Sequence, residues 1–266
     1  MATMRAPLRV TTLRIGSGRW HGQQHLPPGF VGGRRWPAVV VAAPRRGTAG
    51  RAGAVYARRM ATHGFVAVVI DPDAGRPAVC TDNPHGGPLG AVLDHLQAQD
   101  FIDATRLAML GICAGAVGAV HTAAVDQRLK AVATIAGTAV PARAIPALPR
   151  RHATAGRGKA HARARVLPGQ AITQAIDRFD LRTALLADAL DKVPVLHLQP
   201  VMAIVGGRDD WDCLESARAL YDRARGPDRA LIVVPHATRR DLLQRDACIA
   251  PAVARIAPFF AFHLQP

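Results

Sequence analysis

Lysine is nearly absent from this chain. Lys130, Lys159 and Lys192 are the only three among 34 basic residues, and the rest are arginine. Acidic residues are missing from long stretches, with none before Asp71 and none between Asp126 and Asp177. The net charge is therefore +15. Two readings stay open: attraction for acidic partners such as an acyl carrier protein, nucleic acid or an anionic substrate, or the Arg/Ala/Gly/Pro-rich usage of a GC-rich genome, with the charge on solvated faces. Aromatic residues make up 5%, few for stacking bases, and no helix-turn-helix, zinc finger or RNA-binding pattern occurs, so nucleic-acid binding ranks last. The four cysteines (80, 113, 213 and 248) form no C-x-x-C pair, which predicts free thiols in a reducing cytoplasm and no metal site. No apolar run approaches the length of a membrane span. Arg5 and Arg9 are followed by no long apolar core, so no secretory signal is expected. With no dinucleotide fingerprint or metal-ligand cluster, no cofactor is expected either.

What is present is apolar and regular. The 266 residues are 49% hydrophobic, enough for one large domain over residues 1–266. Residues 8–15 and 19–25 read as an antiparallel entry pair. Residues 38–43 form a continuous apolar run, as expected of a strand buried on both faces of a parallel sheet, 65–70 read as the next buried strand, and 106–110, 131–136, 201–205 and 230–234 read as further strands. Helical stretches at 53–63, 89–99, 114–125, 213–225 and 247–263 separate them. This alternation predicts an α/β fold with a doubly wound, mainly parallel sheet. The pattern breaks at 138–192, predicted as an irregular cap over the strand ends where ligands bind in such sheets. Within the cap, Arg150, Arg151, Arg157, Lys159, Arg163 and Arg165 form an acid-free basic segment.

The most informative stretch is Gly111-Ile112-Cys113-Ala114-Gly115. A strand, G-x-nucleophile-x-G and a helix together form a nucleophile elbow, here with cysteine in place of the usual serine. Glycine relieves crowding where a sharp turn lifts the nucleophile out of the sheet. The helix N-terminus then lends its free N–H groups and dipole to a thiolate or an oxyanion.

Further segments carry a resemblance. His25-Leu26-Pro27-Pro28-Gly29-Phe30 and Trp36-Pro37-Ala38-Val39-Val40-Val41, then Tyr56-Ala57-Arg58-Arg59-Met60 with His63-Gly64-Phe65, Phe101-Ile102-Asp103 through Gly115, and Asp126-Gln127-Arg128-Leu129-Lys130-Ala131-Val132 occur in order. In these the chain resembles the dienelactone-hydrolase-like branch of the α/β-hydrolases. The likeness spans most of 20–137 and, more weakly, 194–265. It implies a nucleophile, an acid and a histidine in that chain order. Cys113 takes the nucleophile position. Asp209 and Asp210, after the strand at 201–205, are both candidates for the acid, and a turn or helix cap is their alternative use.

The sequence departs from that pattern twice. The position that the resemblance implies for histidine, after Thr238, holds Arg239. A guanidinium stays protonated and cannot act as a base near neutral pH. His236 follows Asp209 by 27 residues, ordinary acid-to-histidine spacing, and is the remaining candidate base. After the first core strand, Ala43-Pro44-Arg45-Arg46-Gly47 replaces the glycine-rich oxyanion turn that the resemblance implies. Arg45 still supplies a backbone N–H, which would act with that of Ala114 on the oxyanion. The guanidinium groups of Arg45, Arg46 and Arg239 are alternatively substrate-binding groups for a carboxylate or phosphate. The expected function is thus a hydrolase or acyltransferase acting on a small-molecule ester, lactone or thioester through Cys113. The competing expectation is a pseudo-hydrolase that binds a small molecule or a protein.

Overall fold

The computed structural model describes residues 8–15, 20–43, 47–70, 88–137, 199–209, 211–224, 226 and 228–266. The cap predicted at 138–192, most of the loop at 71–88, the basic segment at 150–165, and Arg45, Arg46, Cys80 and Asp210 lie outside the described residues.

Eight strands form one sheet. In chain order they are β1 (Val10–Ile15), β2 (Trp20–His25), β3 (Trp36–Ala42), β4 (Val66–Ile70), β5 (Ile102–Ile112), β6 (Leu129–Ile135), β7 (Val201–Gly206) and β8 (Arg229–Val234). Their spatial order is β1-β2-β4-β3-β5-β6-β7-β8. The β1–β2 and β2–β4 pairings are antiparallel, and every pairing from β4 to β8 is parallel. Six helices are described: α1 (Gly47–Thr62), α2 (Pro88–Gln97), α3 (Gly115–Val125), α4 (Trp211–Arg223), α5 (Arg239–Gln244) and α6 (Asp246–His263).

The strand sequences explain the two-sided core. Side chains alternate faces along a strand, and every residue of Trp36-Pro37-Ala38-Val39-Val40-Val41-Ala42 is buried. Ala38, Val40, Leu107 and Met109 face the layer of α2, α3 and α4, against Leu93, Val120 and Leu220. Val39, Val41, Ala108 and Leu110 face the layer of α1 and α6, against Tyr56, Met60, Ile256 and Phe260. Purely apolar strands therefore carry no visible alternation, because both faces are covered.

The sheet register sets the site. Ile112 lies opposite Ile135, Ile135 opposite Ile204, and Gly206 opposite Val234. The loops after β5, β7 and β8 therefore leave the same edge of the sheet, the carboxyl ends of the parallel strands, where open α/β sheets bind ligands.

Candidate active site

Cys113 follows β5 directly and has φ +51°, left-handed backbone that a side chain adopts at a cost. Its surroundings hold it there. Its N–H donates to the Ile135 carbonyl at 3.0 Å, and its carbonyl accepts from the Ala116 N–H at 3.0 Å. The flanking glycines are needed for space. A Cβ on Gly115 would lie 2.1 Å from the Ala42 carbonyl oxygen, and one on Gly111 would lie 2.5 Å from the Ala116 Cα. α3 then starts at Gly115 without a side-chain cap, and the Ala116 N–H of its first turn is taken by the Cys113 carbonyl.

Three non-glycine residues among those described have positive φ: Cys113, Ala136 and His236. They follow β5, β6 and β8 at the same sheet edge. Backbone strain of this kind gathers at functional sites, and among the described residues these three share one sheet edge.

The loops after β7 and β8 are laced together. Gly207 N–H donates to the Val234 carbonyl and Arg208 N–H to the Ala237 carbonyl, both at 2.9 Å. One carboxylate oxygen of Asp209 accepts from the Gly206 N–H at 3.3 Å, and the other accepts from the backbone N–H of Arg239. A Cβ on Gly206 would sit 2.3 Å from the Ala237 carbonyl oxygen, so the two loops pack backbone to backbone.

Arg239 opens α5, a short helix absent from the helical stretches that the sequence predicts. Its signal is Thr238-Arg239-Arg240-Asp241. Thr238 Oγ1 accepts from the Asp241 N–H, and the Asp241 carboxylate accepts from the Thr238 N–H at 2.9 Å. This reciprocal pair is a capping box with aspartate at the third helical position, and that bond first of all holds the Asp241 carboxyl below its ordinary range. Tyr56, fully buried on α1, donates its hydroxyl to the Leu242 carbonyl at 2.9 Å and ties α5 to the core. Burial pushes the Tyr56 phenol upward, so it stays neutral.

The electrostatics of Cys113 follow from this placement. The residue is half-buried, and burial pushes its thiol above the ordinary value. The Arg239 guanidinium opposes that shift, and the Asp209 carboxylate adds to it. The fold thus brings Cys113, Asp209 and Arg239 within reach of one another's fields, with Ala114 beside the thiol as N-cap of α3. His236 sits exposed in the turn after β8. Among the described residues, no hydrogen bond joins it to Cys113. Nor does any group of three His, Cys, Asp or Glu residues among them form a metal cluster, and no helix is long and apolar enough to cross a membrane.

This sheet order, with helices on both faces and an elbow after the fifth strand, is the α/β-hydrolase fold, and solved structures with that fold superpose along the whole chain. The crystal structure of hypothetical protein PA2218 from Pseudomonas aeruginosa matches with a TM-score of 0.66 at 21% identity, over 98% of this chain and 95% of that one. Dienelactone hydrolase from Anabaena variabilis matches with a TM-score of 0.62 at 14% identity, over 98% and 100%. In sequence, the chain is 25% identical to the uncharacterized protein YcjY of Escherichia coli K12, over 89% of this chain and 92% of that protein. No protein-family model matches the chain.

Proposed function

We propose that the protein is an acyl-transferring enzyme of the hydrolase type, which takes an acyl group from an ester, lactone or thioester on to Cys113. The observation that carries this reading is the left-handed backbone of Cys113 at the mouth of α3. A strained, half-buried thiol at a helix start with no side-chain cap is poorly explained as packing and well explained as a nucleophile. Its thiolate attacks the acyl carbonyl, and the resulting oxyanion turns toward the Ala114 N–H. Asp209 holds the facing loop, and Arg239 offers a fixed positive charge. His236 keeps the part of a base only if the turn after β8 moves toward the thiol.

A binding role without turnover is the second reading, and one observation favours it: burial lifts the Cys113 thiol while, among the described residues, no imidazole is hydrogen-bonded to it. The test is intact-protein mass spectrometry after incubation with a p-nitrophenyl ester and with an alkyl thioester. One acyl increment, absent from the Cys113→Ala variant, supports the enzyme. Failure to acylate Cys113 with either probe would leave the binding role.

A further inference from the structure

We infer that Tyr56 is a positioning residue of this site: its buried hydroxyl clamps α5 to α1 and so holds Arg239 at the rim beside Cys113. This rests on the reading of Cys113 as the nucleophile and names what aligns the charge next to it.

α5 needs holding. It spans six residues, Arg239–Gln244, and isolated helices are already marginal below about 12–15 residues. Its amino end is fastened twice, by the Thr238–Asp241 capping box and by the Asp209 bond to the Arg239 N–H. Its carboxyl half poses a different problem, because the last four carbonyls of a helix find no partner within it. The Asp241 carbonyl accepts from the Arg245 N–H at 2.9 Å. The Leu242 carbonyl accepts from the Tyr56 hydroxyl, also at 2.9 Å, across 186 positions of sequence. Tyr56 and Leu242 are both fully buried. The phenol therefore stands where water would otherwise satisfy the carbonyl, and a buried carbonyl left unpaired is costly.

The other end of the clamp is equally fixed. A Cβ on Gly53, one turn before Tyr56, would lie 2.7 Å from the Ala43 Cβ, so α1 is pressed against the end of β3. The neighbouring Ala42 carbonyl oxygen is the atom that crowds Gly115 of the elbow. One strand end thus sets the place of the elbow and of the helix that bears Tyr56.

The electrostatics agree with this placement. Cys113 feels the Arg239 guanidinium and the Asp209 carboxylate, and Tyr56 feels Arg59, Cys248 and Cys113. The guanidinium favours the thiolate. Arg239 is exposed, so the backbone beneath it governs how its charge is presented to the sulfur.

The test is iodoacetamide alkylation of the full chain at pH 7, with peptide mapping by mass spectrometry to follow Cys113. The thiolate is the reacting species. Tyr56→Phe keeps the ring and removes the hydroxyl, and alkylation of Cys113 should slow by about threefold, part of what a nearby cation contributes. In the Arg239→Ala background the same change should add nothing, because the charge that the clamp aligns is gone. A merely structural tyrosine would lower the melting temperature in both backgrounds and leave the alkylation rate unchanged. That result, or equal slowing with and without Arg239, would overturn the inference. If Tyr56→Phe fails to fold, hydrogen exchange of the parent protein decides. Leu242 and Leu243 amides that exchange only with global unfolding support the clamp, and exchange at the rate of a frayed turn overturns it. A Cys113 that alkylates as expected but takes no acyl group from a p-nitrophenyl ester would overturn the acyl reading alone.

Discussion

One oxygen of the Asp209 carboxylate accepts from the main-chain N–H of Arg239. The anchor between the loops after β7 and β8 is thus indifferent to which side chain position 239 carries. Residue 239 can be changed from guanidinium to imidazole or methyl while its Cα stays in place. This separates the chemistry at 239 from the architecture that presents it.

Arg239→Ala and Asp209→Asn should move the Cys113 titration in opposite directions. The guanidinium favours the thiolate and the carboxylate disfavours it. Alkylation by iodoacetamide, followed against pH, should show its midpoint rising in Arg239→Ala and falling in Asp209→Asn. Movement of both in the same direction would mean that the loop, not its charges, governs the thiol.

Gly115→Ala should destabilise the protein by about 3 kcal/mol or more in urea denaturation, the upper range for overpacking. The obstructing atom is the backbone oxygen of Ala42, 2.1 Å from the added methyl, and a central strand cannot move away. Gly33→Ala is the control. Nothing lies within 4 Å of its Cβ, and its change should stay within about 0.5 kcal/mol.

His25 should make the protein acid-sensitive. It ends β2 at 4% exposure, and neither ring nitrogen has a partner among the described residues. Burial first, and then the Arg58 charge, push its pKa below the ordinary imidazole value of 6.5. Above that value both folded and unfolded chains are neutral at this site, and the full contribution is present. As pH falls below it, the unfolded chain takes up the proton first, so stability is lost until the folded-state pKa is passed. Melting temperatures should therefore fall as pH drops from about 6.5, and less steeply in His25→Leu. Some slope should remain, because burial lowers His95 and His263 too.

Arg128→Met should cost about 3 kcal/mol, as breaking one side of a buried ion pair does. Arg128 grips the buried Asp126 carboxylate through Nε at 2.9 Å and its terminal nitrogen at 2.6 Å, and reaches Asp94 on α2 at 2.7 Å. These bonds close the start of β6, at the opposite sheet edge from Cys113. Thermal melting should register the loss, while acylation of Cys113 well below the melting temperature should not change.

The fold was legible because its strands are uniform. Val39, Val40 and Val41 announce a strand covered on both faces, and the observed sheet has the alternation and helix layers that the sequence implied. The turn at Cys113 was legible because only small residues fit beside it. The α5 helix is absent from the predicted elements, although the three-residue spacing of Thr238 and Asp241 is its usable signal. The union of Asp209 with Arg239 could not be read at all. It depends on a main-chain N–H, which every residue but proline carries, and on a packing of two loops that no residue type announces. The same holds for His236: spacing places it after the right strand but does not aim its ring.

The strand order has a consequence for synthesis. The first six strands, Val10 to Ile135, are contiguous in the sheet, and β7 and β8 are added at one side. A growing chain can complete that block, including the turn at Cys113, before Asp209 and Arg239 exist. At about 5–20 residues per second, the delay is of the order of 5–20 s. During that time the thiol lacks the cation that favours its ionisation, and the β6 edge is open to stray pairing. Full reactivity belongs to the finished polypeptide. Prematurely terminated chains carry a quiet thiol and an adhesive edge, so their hazard is aggregation and not misdirected chemistry.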